Sequence, residues 1–361
     1  MKNHVIVAVA LLCACGHNPD VGQTPAPLVA ELQRGARPYP ANPDEPRLAN
    51  VRMLTNGGEN AEAYFSADGR QLIFQATRPG FNQCDQIFTM DVDGRNVRMV
   101  STGLGRTTCG YFFPSGDRIL YSSTHEQSPE CPPPPDRAQG YVWALDPYDI
   151  YTARPDGSDL RRITNHVGYD AEATISPDGS KIVFTSTRDG DIDIYTMNAD
   201  GTDVRRLTHE PGYDGGAFFS PDGTKIVYRA AHPDSPEALA DFRRLLARNV
   251  FRAGPLDIWI MDADGSNKQR VTSNGAANFA PFMHPDGRRI IFSSNLGDPA
   301  GRVFDLWIIN VDGTGLARVT SNPDFDGFPM FNREGTQLVW ASNRGGAQTG
   351  DTNVFIADWI D

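Results

Sequence analysis

Four side chains of this 361-residue sequence are of types that move protons or grip a polar ligand, and they stand where a repeat leads one to expect something else: Glu62, Glu172, His125 and His232. A carboxyl beside an imidazole can act as acid and base, or can hold a ligand by charge and hydrogen bonding. Two polar columns accompany them. Eight residues before a recurring turn stand Asn60, Thr107, Asp170, Asp214, Asn278 and Asp326, and ten after it stand Arg78, His125, Arg188, His232, Leu296 and Arg344. The columns read either as a ligand-binding ring of acidic or amide groups facing cationic ones, or as a pair that each unit uses to hold its own loops. Glu62 and Glu172 lie six before the turn in an otherwise small or apolar column. As exceptions to the repeat they are the stronger ligand contacts.

The turn itself is Ser66-Ala67-Asp68-Gly69, Ser176-Pro177-Asp178-Gly179, Ser220-Pro221-Asp222-Gly223 and His284-Pro285-Asp286-Gly287, with looser copies at Phe113 to Gly116 and Asn332 to Gly335. A second Asp-Gly turn falls at Asp93, Asp156, Asp200, Asp264 and Asp312, and eight residues after each comes a hydroxyl residue, Ser101, Thr164, Thr208, Thr272 or Thr320. Thr55 is a sixth such hydroxyl. Spacing this regular marks a repeat architecture. Between the turns lie short runs rich in β-branched and aromatic residues, such as Lys181-Ile182-Val183-Phe184 and Asp193-Ile194-Tyr195-Thr196-Met197. Each unit therefore predicts four antiparallel strands joined by tight hairpins in which Gly supplies positive φ. The fold class is all-β: a six-bladed propeller of four-stranded blades. The sixth unit stops after three strands, while Asn50 to Thr55 resembles an orphan fourth strand ahead of unit one. The expectation is that this N-terminal strand completes the last blade and removes two open sheet edges.

Two units are longer than the rest. From Asp178 to Asp200 is 22 residues, but Ser115 to Asp156 is 41 and Asp222 to Asp264 is 42. Strand order puts both insertions on the rim opposite the hairpins, which makes that rim the functional one. The first contains Cys131 and four prolines, then Tyr141, Trp143 and Tyr148. The second predicts a short helix opened by Ser235 and Pro236, with Leu239, Phe242 and Leu246 on one face. Tyr141, Trp143, Tyr148 and Phe242 are expected to form lids over the channel mouth, although the apolar helix stripe fits packing against the neighbouring blade better.

Residues 1–14 read as a secretory signal, with Lys2 before an apolar run from Val5 to Ala14 that is too short for a membrane span. Leu12-Cys13-Ala14-Cys15-Gly16 resembles the lipobox of bacterial lipoproteins and makes Cys15 the lipidated residue. Residues 15–46 read as a Pro-rich flexible tether and residues 47–361 as the propeller. A formal net charge of −12 argues against nucleic acid. In an oxidising periplasm one disulfide is expected, Cys109 with Cys131 because both belong to unit two, against the alternative of three free thiols.

The repeat at Thr174 to Gly190, continued at Asp193 to Gly201, resembles the propeller repeats of TolB, the periplasmic component of the Tol-Pal envelope system. The resemblance covers residues 50 to 361 and not TolB's separate N-terminal domain. It implies a periplasmic propeller and leaves the function open. Similar repeats occur in propellers attached to peptidases and in oligogalacturonate lyases, whose metal is held by clustered histidines; of the seven histidines here, His125, His166, His209 and His232 come from three blades. The sequence carries neither Gly-x-Ser-x-Gly nor His-Glu-x-x-His, the short signatures of serine and zinc hydrolases. Asp91 to Asn96 superficially matches a calcium loop but recurs as a hairpin turn. No cofactor or metal is implied. The expected function is non-catalytic: a monomeric lipoprotein of the bacterial envelope, at the outer membrane and facing the periplasm, binding an envelope protein, peptide or glycan at the insertion-bearing rim. The alternatives are a propeller enzyme, lyase or hydrolase, and the accessory propeller of a separately encoded hydrolase.

Overall fold

A computed structural model describes residues 35–361 except Arg137, Gln139, Gly140 and Pro299. The signal segment and Cys15 lie outside the described residues. Six antiparallel sheets stand around a central axis: blade one spans residues 59–99, blade two 107–162, blade three 170–206, blade four 213–270, blade five 278–318 and blade six 326–359 together with 48–53 and 37–38. The first strand of each blade lines the axis, and successive first strands pack side by side around it.

The sequence landmarks are hydrogen-bonding devices. In the first hairpin the Ser176 hydroxyl donates to Asp178 Oδ1 at 2.5 Å and accepts from Lys181 N at 2.9 Å, which closes the turn over Gly179. The hydroxyl eight residues after the second hairpin accepts a backbone N–H from the third strand of its own sheet. Ser101 does so from Ile87, Thr164 from Ile150, Thr208 from Ile194, Thr272 from Ile258, Thr320 from Leu306 and Thr55 from Val354, each at 2.9 Å. Thr55 thereby serves blade six, and Leu48–Met53 pairs antiparallel with Asn353–Trp359. Central strands are buried on both faces, as in Lys181–Ser186, where every residue after Lys181 is inaccessible.

Part of the expected tether belongs to the propeller. Arg37–Pro38 pairs with Met53 and Arg52, and Tyr39 packs edge-on against Phe355 at 5.2 Å. Glu45 is buried and accepts both guanidinium nitrogens of Arg344, at 2.8 and 2.9 Å. Sequence composition alone reads this stretch as a linker because its anchors are isolated side chains without periodicity.

The insertions also differ from two independent lids. Val142–Ala144 from blade two pairs with Val250–Arg252 from blade four, forming a two-stranded roof that crosses the loops of blade three. Helix α1 (Pro236–Leu246) starts at Ser235, whose Oγ accepts from Ala238 N at 3.1 Å, and packs against the Val250–Arg252 strand. Leu145, Tyr148, Tyr169, Tyr213, Phe251 and Leu256 form the roof's own apolar core, with Phe242 and Leu246 against it.

Candidate functional site

Every innermost strand contains a β-bulge at the same place. The register slips between Ala61 and Tyr64, and the equivalent slip occurs in the other five blades. One residue of each bulge adopts a left-handed backbone: Glu62, Cys109, Glu172, Gly216, Ala280 and Phe328, with φ between 49° and 60°. Only Gly adopts this conformation at little cost, so five non-glycine copies mark a feature the ring requires. These are the residues of the column six before the turn. The bulge turns their side chains toward the axis, where all six border one small gap of about 30 Å³. At Gly216 a side chain would collide, since a Cβ there would lie 2.9 Å from the Arg229 guanidinium carbon.

Two residues further along each strand the channel is plugged. Tyr64, Tyr111, Phe218 and Phe282 meet at centroid separations of 5.5 to 6.1 Å, flanked by Thr174 and Met330. On the hairpin side of the plug lies a shallow mouth of about 270 Å³ edged by Pro114, Pro177, Pro221 and Pro285. On the insertion side lies a cup of about 970 Å³. Its floor is Glu62, Glu172, Arg229 and Thr108; its walls include Trp143, Tyr148 and Tyr169 on one side and Phe279, Phe304, Phe325 and Phe328 on the other. Trp143 is carried by the roof, so the roof builds part of the wall.

The two floor carboxyls differ. Glu172 is fully engaged: it pairs with Arg229, accepts the Thr185 hydroxyl at 2.8 Å and Gly216 N at 3.0 Å, and receives the Tyr213 hydroxyl at 3.2 Å. Arg229 also donates to the Tyr213 hydroxyl at 2.8 Å and lies over the Trp143 ring at 5.1 Å. Burial works against the Arg229 charge, but the Glu172 carboxylate and the Tyr213 hydroxyl outweigh it and raise its pKa. Glu62 has no such cation of its own, and its Oε2 is buried without a hydrogen-bond partner. Burial pushes its pKa up to about 7; the Glu172 charge adds to the rise, while the Cys109 thiol and Arg229 oppose it.

The repeated columns are elsewhere. Asp170 pairs with Arg188 at 2.9 Å, Asp214 with His232 at 3.1 Å, Asp326 with Arg344 at 2.5 Å, and Asn60 accepts from Arg78 at 2.7 Å. Asn278 is buried and takes the Ser294 hydroxyl at 2.7 Å. Each pair ties the first strand to the end of the second within one blade, and none of these residues borders the cup. His125 is half-buried on the Tyr151 ring at 4.5 Å, with Nδ1 2.8 Å from the Ser123 hydroxyl. Of the expected ligand contacts, Glu62 and Glu172 converge, and of the lid residues Tyr141, Trp143 and Tyr148 line the cup while Phe242 packs behind Phe251. Among the described residues no three His, Cys, Asp or Glu side chains gather in a metal-binding group.

The expected disulfide is corrected. Cys131 bonds to Cys84, with Cα atoms 5.9 Å apart, and Cys109 is a free thiol. Cys109 occupies the bulge and faces the axis, whereas the loop carrying Cys84 in blade one reaches the start of the blade-two insertion. Arg229, Tyr213, Tyr169 and the four phenylalanines are site residues that the sequence reading did not single out. Arg229 carried a signal, since its column otherwise holds Gln75, Ser122, Thr185, Ser293 and Ala341.

Comparison with known proteins fits this geometry. The family model of the Tricorn protease N-terminal beta propeller domain matches residues 142–249. A TolB homologue of Chlorobium luteolum is 25% identical over 185 residues, which is 44% of this chain and 42% of that protein. TolB from Acinetobacter baumannii superposes with a TM-score of 0.55 at 18% identity, covering 83% of this chain and 63% of its own. The chain carries a TolB-like propeller. The same fold extends to an enzyme: an oligogalacturonate lyase in complex with manganese superposes with a TM-score of 0.53 at 15% identity over 91% of this chain and 99% of its own. The TolB-like propeller thus shares its architecture with both kinds of protein, and no helix among its described residues is long and apolar enough to cross a membrane.

Proposed function

We propose that this TolB-like propeller is a non-catalytic recognition module of the bacterial envelope, held at a membrane through a lipidated Cys15, that binds a protein, peptide or glycan in the aromatic cup. The observation that carries this reading is the blind cup itself. Its floor is closed by the aromatic plug, its aromatic wall is fixed by a rigid ring and a paired roof, and one floor carboxyl is committed to Arg229. Preorganised apolar walls with a few convergent polar groups favour binding. A two-carboxylate acid and base mechanism would need Glu172 free, and its oxygens are occupied by four partners.

The test is affinity capture from detergent-solubilised envelope with the full chain and with a Tyr141→Ala/Phe325→Ala variant, followed by identification of what is retained. A protein or glycan held by the natural chain and lost with the variant supports the cup as the binding site; equal retention overturns it. The enzyme reading has one observation in its favour, the Glu62 carboxyl with a pKa of about 7, a value suited to a general acid. Polysaccharide or peptide turnover that disappears in Glu62→Gln would replace recognition with catalysis. The match to a protease propeller domain keeps an accessory role beside a separately encoded hydrolase as a third reading.

A further inference from the structure

The charges of the cup do not balance. Glu172 is matched by Arg229, and at the mouth exposed Asp324 stands with exposed Arg302, which leaves Glu62 as the surplus carboxyl. Its Oε2 is buried and unpartnered, a costly state for a carboxyl unless an occupant supplies a donor. The cup above it is walled by the rings of Trp143, Tyr148, Tyr169, Phe279, Phe325 and Phe328, and aromatic π faces attract cations while their edges pack on methylene chains. We propose that the cup receives a primary ammonium on an apolar stem, the chemistry of a lysine side chain, with the ammonium at the Glu62 carboxyl in the floor and the stem between the phenylalanine rings. This rests on the recognition reading above and names its ligand. An acidic occupant would bring its charge against Glu62 and Glu172, and a hydroxyl-rich sugar would leave its donors facing a largely hydrocarbon wall.

The groups acting on Glu62 are Glu172, Arg229, Asp85 and the Cys109 thiol, and the neighbouring strand of blade six presents Phe328 to the same gap. With its pKa at about 7, Glu62 is mostly neutral at pH 6 and mostly ionised at pH 8, while a lysine amine is charged at both. An occupant that pairs with the carboxylate therefore gains affinity as pH rises.

The experiment titrates the full chain with Nα-acetyl-lysine methylamide, its neutral norleucine counterpart and glucosamine, by NMR at pH 6 and pH 8. The expected result is binding of the lysine probe alone, about tenfold tighter at pH 8, with the pH dependence and most of the affinity lost in Glu62→Gln. Phe325→Ala should weaken the probe while keeping its pH dependence, which separates loss of the wall from loss of the charge. Unchanged one-dimensional spectra of both variants outside the cup establish that they fold. Equal binding of norleucine, or no binding of the lysine probe at either pH, overturns the cation assignment, and tighter binding of glucosamine, an ammonium on a hydroxyl-rich frame, overturns the apolar stem. None of these touches the recognition reading, which stands or falls on envelope capture by the cup.

Discussion

Arg229 and Glu172 sit in the floor of the cup with side chains 9% and 13% exposed, so solvent screens their interaction little. Removing one partner leaves the other charge buried without compensation, which typically costs about 3–5 kcal/mol. Arg229→Met should lose about that much in urea denaturation, and adding Glu172→Leu should recover a good part of it; a double variant that loses the sum of the two single losses would mean that the pair is not coupled. His232 makes a different prediction. Burial opposes its charge, but the hydrogen bond and charge of Asp214, with Glu210 and Asp191, more than offset this and raise its pKa above 6.5. Its contribution to stability is therefore complete below pH 6.5 and declines as pH rises through the folded-state value. The Tm difference between the natural chain and His232→Gln should be larger at pH 5.5 than at pH 8.5, and a difference that grows with pH would contradict the assignment. Glu62 and Glu172 were legible in the sequence because they break a column. Asp170 with Arg188 and Asp214 with His232 belong to columns that every blade fills, and repetition itself points to a job done inside each blade. The bulge was not legible, because it is a backbone feature that leaves no residue signature when Cys, Ala, Phe and Glu all occupy it.

The disulfide and the roof act on elements. The Cys84–Cys131 bond closes a segment with a sequence separation of 47 and fastens the beginning of the blade-two insertion to blade one. Loops of this size are worth about 2–4 kcal/mol when cross-linked. Replacing both cysteines with alanine should lower the unfolding free energy of the oxidised protein by that amount in guanidinium denaturation, and reductant should shift the midpoint of the natural chain and leave the variant unmoved. An equal shift of both would place the redox sensitivity elsewhere. In the roof, where this insertion meets that of blade four, the holding force is packing: Phe251 of blade four is buried and stacks on Tyr213 at 4.5 Å. Phe251→Ala should cost about 3–5 kcal/mol, a range typical of buried aromatic truncation. Amide exchange should speed up at Val142–Ala144 and Val250–Arg252 before it does in the blades; uniform protection would show that the roof does not depend on this core. The helix was readable from its cap and its stripe. The pairing of the insertions was not, because each contributes three residues and the partners lie in blades two and four, with a full blade between them. The same distinction explains the cysteines: shared membership of a unit is proximity in sequence, whereas Cys84 and Cys131 meet across a blade boundary.

A ring of blades is as strong as the joint between its first and last elements. Here the chain supplies the outer strand of blade six from its N-terminal side. Leu54 N reaches Val354 O at 2.8 Å, Thr55 Oγ1 accepts from Val354 N at 2.9 Å, and Asn50 donates to Asp358 Oδ2 at 2.7 Å. Without Leu48–Met53 the strand Asn353–Trp359 would be an open edge, with unpaired backbone groups and Leu48, Val51 and Met53 missing from the blade core. The locking contact lies outside the repeat. Glu45, 1% exposed, joins Arg344 and Asp326 in a buried triad, so the segment before the strand is fixed by charge as well as by sheet pairing. Deleting residues 36–55 should therefore lower the melting temperature markedly and make it dependent on protein concentration, as open edges associate. Glu45→Ala alone should cost less than the roughly 3–5 kcal/mol of a lost buried partner, because Asp326 remains with Arg344. A synthetic peptide of residues 36–55 added to the deletion variant should restore the melt in a saturable way, since a separate strand can occupy the vacant edge. A variant that melts like the natural chain, with no response to the peptide, would show that the six blades hold together without this joint and that the N-terminal strand is an ornament of the sheet.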